Sequence, residues 1–235
     1  MRLALRRKKA GDLPFDLATT RNAWQCASVL LAYPDETLLG HLPAVRQVCA
    51  TLPARLRAPL ETVAATVGSE PVEELRQRYV ETFDSTRRCA PYLTYFSCGD
   101  TRKRGVALVQ LKQTYRRAGA VPPEDELPDH LSVVLEFGAC VDPDQGLRLL
   151  LTYRAGLEVL RLALRERESL WANVLDAVCA TLPTLEGDEE SAVARLVEQG
   201  PPAEDVGLDA YPIDPRLNPA GRLFEPLPAT RGARS

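Results

Sequence analysis

Histidine is nearly missing from this sequence: His41 and His130 are the only two in 235 residues, and no two of the six cysteines lie close together. A structural zinc site wants two close ligand pairs, usually Cys-x₂₋₄-Cys, so a metal-built domain is not expected. Two histidines also leave little material for a Cys–His dyad. There is no G-x-S-x-G elbow, no glycine-rich phosphate loop and no H-E-x-x-H, so no catalytic mechanism is visible and no enzyme is expected. Strand-type alternation and a fixed-period repeat are both absent, which argues against sheets and solenoid arrays. No stretch approaches 18 uninterrupted apolar residues, so no membrane insertion is expected. The basic start (Arg2, Arg6, Arg7, Lys8, Lys9) has the charge of a secretory n-region. Gly11, Asp12, Leu13 and Pro14 follow where the apolar region belongs, so the expectation is an unprocessed cytoplasmic protein.

What is present favours helix. Apolar residues make up 45% of the chain, enough for a substantial core, and aromatics only 6%. Fourteen glycines and nineteen prolines mostly separate periodic segments. The expected fold class is all-α, a single multi-helix bundle over 19–200, with an irregular basic arm over 1–18 and a Pro-rich irregular tail over 201–235. A net charge of −3 gives no bias towards nucleic acid. Cys26, Cys49, Cys140 and Cys179 fall inside helical patterns as small core residues, as suits a reducing compartment.

The periodicity predicts helices capped by Thr19 or Thr20, over about 35–40, 43–52 and 54–67, and from Pro71 to Asp84 with Val72, Leu75, Tyr79 and Phe83 inward. Further helices are expected from about 100 to 118, from Pro128, over about 143–167 behind the Asp142-Pro143 cap, over about 169–182 and over about 188–199. Trp24, Ala27 and Leu31 form one stripe of the first helix. The segment 85–99 is expected to be a loop. Its Tyr92, Tyr95 and Phe96 are too many rings for a solvated linker, and they must bury or meet a partner.

One polar cluster stands out: Glu126, Pro128, Asp129 and His130, then Glu136. Asp129 sits where a helix dipole favours negative charge, and the same dipole favours a neutral His130. Seven residues separate Asp129 from Glu136, a spacing that allows one shared face. The bland reading is a capped helix with solvated acids and a satisfied histidine. The sharper one is a recognition site for a basic, partly helical peptide, with an apolar groove from Tyr79, Phe83, Tyr95 and Phe96. A different class, a helical metal or cofactor carrier, would use Cys89, Cys98 and His130.

At these residues the chain resembles the delta-subunit, or NarJ-type, chaperones of respiratory nitrate reductase. The resemblance rests on Leu30 to Asp35, Tyr79 to Asp84, Tyr92 to Phe96, Gly99 to Gly105, and Leu127 to Leu131 with Leu135 to Phe137; it covers about residues 20–180. The Pro-Asp-His segment is similar to that of the wider TorD-like chaperones. The resemblance implies a TorD-like helical chaperone that binds the N-terminal leader-like segment of the apo alpha subunit and permits molybdenum cofactor insertion before membrane attachment. It implies no cofactor of its own, and it fixes no oligomeric state. The site residues it carries over are Asp129 and His130, with Tyr79, Phe83 and Tyr95 as groove candidates.

Overall fold

A computed structural model describes residues 13–122 and 126–202. The chain divides into two units, up to Glu204 and from Asp205. The second unit, most of the expected tail and most of the basic arm lie outside the described residues.

The architecture is all-α, with eleven α-helices among the described residues: α1 (Leu17–Leu30), α2 (Glu36–Cys49), α3 (Ala54–Val67), α4 (Val72–Phe83), α5 (Tyr95–Cys98), α6 (Arg102–Arg117), α7 (Leu131–Cys140), α8 (Pro143–Thr152), α9 (Arg154–Glu166), α10 (Ala172–Ala180) and α11 (Asp188–Gln199). A 3₁₀ turn at Arg87–Cys89 precedes α5. None of the helices among the described residues is long and apolar enough to cross a membrane.

Helix α1 is the central element, packed against α7, α2, α10 and α3. Its stripe is buried as expected: Ala23, Trp24, Ala27, Leu30 and Leu31. The Trp24 indole N–H finds an acceptor in the Thr181 hydroxyl at 2.8 Å, so the largest core side chain carries no unsatisfied donor. Asp16 starts the helix, its carboxylate accepting from the Thr19 N–H at 2.7 Å. The expected caps, Thr19 and Thr20, are therefore the third and fourth helical residues, and α1 begins inside the stretch expected to be irregular.

Other boundaries differ from the sequence reading, beginning with the segment expected as a loop over 85–99, which folds into the 3₁₀ turn and α5. The two short helices expected over 35–52 are one helix, α2, which runs through Pro43. The proline removes one donor, and burial of Leu38, Leu42, Val45 and Cys49 on one face outweighs that loss. The long helix expected over 143–167 breaks at Tyr153, the single residue between α8 and α9, which caps the end of one and the start of the other. The break turns the chain so that α8 packs on α7 while α9 meets α10 and α11. The helix expected from Pro128 starts three residues later, with His130 as its cap. Of the four cysteines placed in helical patterns, Cys26 and Cys49 are buried, Cys179 is partly exposed and Cys140 is on the surface.

Close backbone approach explains two glycine positions. A Cβ on Gly146 would lie 2.4 Å from the Cα of Gly138, so α7 and α8 touch backbone to backbone over Trp24. A Cβ on Gly156 would lie 2.7 Å from the Phe96 Cβ, and its absence lets α5 seat on α9.

Candidate functional site

The segment 91–96 is held against the turn 127–131 by a two-bond clasp. Leu93 N–H donates to the Asp129 carbonyl at 3.0 Å, and Leu131 N–H donates to the Pro91 carbonyl at 2.8 Å. Tyr92 and His130 thereby face each other in an isolated antiparallel bridge. Tyr115 adds a third tie, its hydroxyl donating to the Pro128 carbonyl at 2.6 Å.

Asp129 lies at the centre of the clasp and is fully buried. Its Oδ2 accepts from the Thr94 hydroxyl and, at 3.3 Å, from the Thr94 N–H. The Arg104 Nη2 stands 3.4 Å from the same oxygen. Arg104 also lies over the Tyr92 ring, 5.2 Å from its centroid, and pairs with Asp100 at 3.4 Å. One guanidinium therefore ties together the buried acid, the loop ring and the start of α6. The Asp129 Oδ1 is buried with no hydrogen-bond partner among the described residues.

His130 caps α7. Its Nδ1 accepts from the Ser132 N–H at 3.3 Å and stands 2.6 Å from the Ser132 hydroxyl, which puts the ring proton on Nε2. Burial pushes its pKa down to about 4, against the opposing pull of Asp129 and Asp84, so the imidazole is neutral at neutral pH. The expectation of a neutral His130 therefore agrees with the structure, although burial is the main cause. The ring packs edge-on against Tyr92 with centroids 5.3 Å apart.

The remaining candidates divide into separate groups. Tyr79 and Phe83 stack with Trp171, at centroid distances of 5.4 and 5.2 Å, and the Tyr79 hydroxyl donates to the Leu31 carbonyl at 3.0 Å. Tyr95 and Phe96 are buried on α5, with Phe96 against α9. Glu136 is exposed on α7, its charge acting on Cys140, and it does not share a face with the buried Asp129. Six of the seven candidates, Asp129, His130, Tyr79, Phe83, Tyr95 and Phe96, are thus interior groups. In this structure these six side chains are packed in the interior and do not line an open groove.

What faces outward beside them is a different set. Tyr33 is 47% exposed and packs edge-on against Tyr79 at 5.4 Å. Tyr92 is half-buried, and Leu127 is 39% exposed. Burial raises the pKa of Tyr79 and of Tyr92, and the charges of Glu126 and Asp84 raise both further, so both acids act electrostatically on these rings. Tyr33, Tyr92 and Leu127 thus keep exposed ring and aliphatic area, with Asp84 exposed and Glu126 half-buried among the charges that act on Tyr92, whose backbone is held by the clasp. Sequence reasoning passed over Tyr33 and Asp84 as site residues because each reads as the end of a helix. Thr94 and Arg104 lay inside the motifs of the resemblance, but nothing in the sequence singled them out as partners of Asp129.

Among the described residues no three His, Cys, Asp or Glu side chains converge as metal ligands. Cys89 is buried in the core, Cys98 is partly exposed on α5, and His130 is engaged as a cap.

Comparison with known proteins now bears on this geometry. The family described as "Nitrate reductase delta subunit" matches residues 49–177, from the last residue of α2 into α10. The chain belongs to this family. A probable nitrate reductase molybdenum cofactor assembly chaperone, NarJ, of Bacillus subtilis is 34% identical over 159 residues, covering 67% of this chain and 86% of that one. The nitrate reductase molybdenum cofactor assembly chaperone NarJ of Escherichia coli is 27% identical over 186 residues, 78% of each chain. The nitrate reductase-like protein NarX of Mycobacterium tuberculosis is 43% identical over 166 residues, which are 67% of this chain but only 24% of NarX. The matched family segment contains the clasp, Tyr79, Tyr92, Asp84 and Glu126, and leaves α1 and α11 outside.

Proposed function

We propose that this protein is a cytoplasmic assembly chaperone for nitrate reductase, without catalytic activity of its own. It binds the N-terminal leader-like segment of the apo alpha subunit and keeps that subunit open to molybdenum cofactor insertion before membrane attachment. Family membership supports the chaperone reading. The observation that carries the binding mode is the exposed area of Tyr33, Tyr92 and Leu127, with Asp84 and Glu126 among the charges that act on Tyr92. Rings at this surface offer apolar area at low entropic cost, and the acids favour a cationic segment. Asp129 and His130 serve as positioning residues: through Thr94, Arg104 and the backbone clasp they fix the half-exposed ring of Tyr92.

The test is calorimetric titration of the full chain with a peptide copying the alpha-subunit N-terminus. Binding is expected, and Tyr92→Ala is expected to weaken it by about tenfold, the loss of one aromatic anchor. Asp84→Lys is expected to weaken it several-fold. A correctly folded chain that releases no heat, or a Tyr92→Ala variant that binds as tightly as the parent, would count against this reading.

A further inference from the structure

Helix α6 has one face that the fold leaves uncovered. Its sixteen residues include six cations (Arg102, Lys103, Arg104, Lys112, Arg116 and Arg117) and no acid. The inward side is fixed in place: Ala107, Leu111 and Tyr115 are buried, with the Tyr115 ring against Phe137 of α7 at 4.5 Å. Arg104 turns inward to Asp129. The opposite side carries Val106 and Val109, which are 60% and 55% exposed.

At about 100° per residue the two valines form one outward ridge. Arg116 and Arg117 fall about 50° to either side of it, and Lys103 and Lys112 about 90° to either side. All four of these cations are exposed, and none makes an ion pair among the described residues.

Packing within the described residues does not account for this face. Lys103 stands in the first turn, where the helix dipole disfavours a cation, and no acid is there to offset it. Gly105 is exposed inside the helix, where glycine is destabilising, although a Cβ there would meet nothing within 4 Å. Arg116 and Arg117 do have a local use, beside the negative end of the dipole. The neighbouring acids serve other groups: Asp100 pairs with Arg104, and Asp142, which shares a shallow recess with Arg117, caps α8.

A convex ridge of two small aliphatic side chains offers no hollow for a small ligand. To a partner helix it presents only one turn of apolar seam, because Arg102, Gln113 and Arg116 hold the seam positions before and after the valines. A stable protein interface needs a larger apolar centre. A flat anionic surface matches better. Cations spread symmetrically over half the helix circumference all reach a plane, the lysines by their long stems, while the valines lie at headgroup level.

We propose that the outward face of α6 docks on an anionic phospholipid surface, with Lys103, Lys112, Arg116 and Arg117 against the lipid phosphates and Val106 and Val109 among the headgroups. The docking is peripheral, and no helix crosses the bilayer. This inference is independent of the client-binding reading above, which concerns other residues.

The test is sedimentation of the full chain with vesicles of phosphatidylglycerol and phosphatidylcholine in equal parts, and with vesicles of phosphatidylcholine alone. Binding is expected to the mixed vesicles only, falling steeply as salt rises from about 50 to 500 mM. Each cation at such a surface strengthens binding about fivefold, so Lys112→Gln with Arg116→Gln is expected to weaken it about 25-fold. Arg55→Gln with Arg167→Gln makes the same change of charge at exposed positions outside α6 and is expected to weaken it less than about threefold. Arg2→Gln, Arg6→Gln, Arg7→Gln, Lys8→Gln and Lys9→Gln together remove the attraction of the basic arm, and the loss from the α6 pair is expected to persist in that background. Val106→Ser with Val109→Ser is expected to weaken binding several-fold at constant charge. All the α6 sites changed are exposed, and an unchanged thermal midpoint shows that each variant is folded. Equal binding to both kinds of vesicle, or no binding at about 50 mM salt, would overturn the proposal. So would an α6 double variant that binds as tightly as the Arg55 and Arg167 control. A helical peptide of Glu and Leu repeats that binds more tightly than the vesicles, and is lost with the same α6 substitutions, would assign the face to a protein partner instead.

Discussion

At His130 two demands meet in one side chain: a helix needs an acceptor at its start, and the turn before it needs a ring against Tyr92. Both are met only by the neutral imidazole, which makes the fold sensitive to acid. The ordinary pKa of 6.5 falls to about 4 in the folded chain, so the unfolded chain binds the extra proton first as pH drops. The stabilisation is complete above pH 6.5 and drains away as pH falls from there towards 4, by about 3 kcal/mol in all. Denaturant titrations at stepped pH should show this slope. His130→Asn, which keeps an N-cap acceptor but does not titrate, should flatten it. Asp129 predicts a second effect. Asp129→Ala leaves Thr94 and Arg104 without their shared oxygen and should cost about 2–3 kcal/mol in chemical denaturation, whereas Asp100→Ala, at the exposed end of the same guanidinium, should cost under about 1 kcal/mol. The sequence marked Asp129 and His130 as special but gave them the wrong surroundings. A polar pair beside a helix start reads the same whether it faces water or interior. Only the distant partners, Thr94 and Arg104, decide which, and no local pattern names them.

Among the elements, α3, α4 and α11 were readable almost to the residue, because strict apolar spacing meets clear stop signals there: Gly68, Asp84 and Gly200. The α8–α9 break was not readable, because the apolar period runs through Tyr153 without a Gly or Pro to mark the turn. Pro43 misled in the other direction, since a proline usually ends a helix and here the tertiary packing of α2 carries the helix past it. Two glycines in helices make opposite predictions. Gly146→Ala must push α8 away from α7 and should destabilise by about 1–3 kcal/mol, as overpacked cores do. Gly40→Ala in α2 meets nothing within 4 Å and should stabilise by about 0.5–1 kcal/mol, the helical advantage of alanine. Thermal midpoints of the two variants, moving in opposite directions from the parent, check both statements at once.

For the molecule as a whole, the all-α class followed from composition and period, while the placement of the candidate surface did not. The rings of Tyr33 and Tyr92 come from the end of α1 and from the clasp loop, 59 residues apart in sequence, and only the packing of α4 between them sets both beside Tyr79. If Asp84 and Glu126 attract a cationic client segment there, affinity should fall as salt rises from about 50 to 200 mM, as the Debye length shortens. Asp84→Asn should reduce that salt dependence, and calorimetry at several ionic strengths measures it. The order of the helices along the chain has one more effect. Helix α1, the first among the described residues, finds its largest partner in α7 and a further one in α10, and the Trp24 indole waits for the hydroxyl of Thr181, 157 residues later. At about 5–20 residues per second, translation leaves that indole uncovered for roughly 8–30 s. A protein read here as a guardian of unfinished polypeptide thus passes through its own long unfinished stage, and ribosome-bound chains ending before α10 should be its most aggregation-prone form.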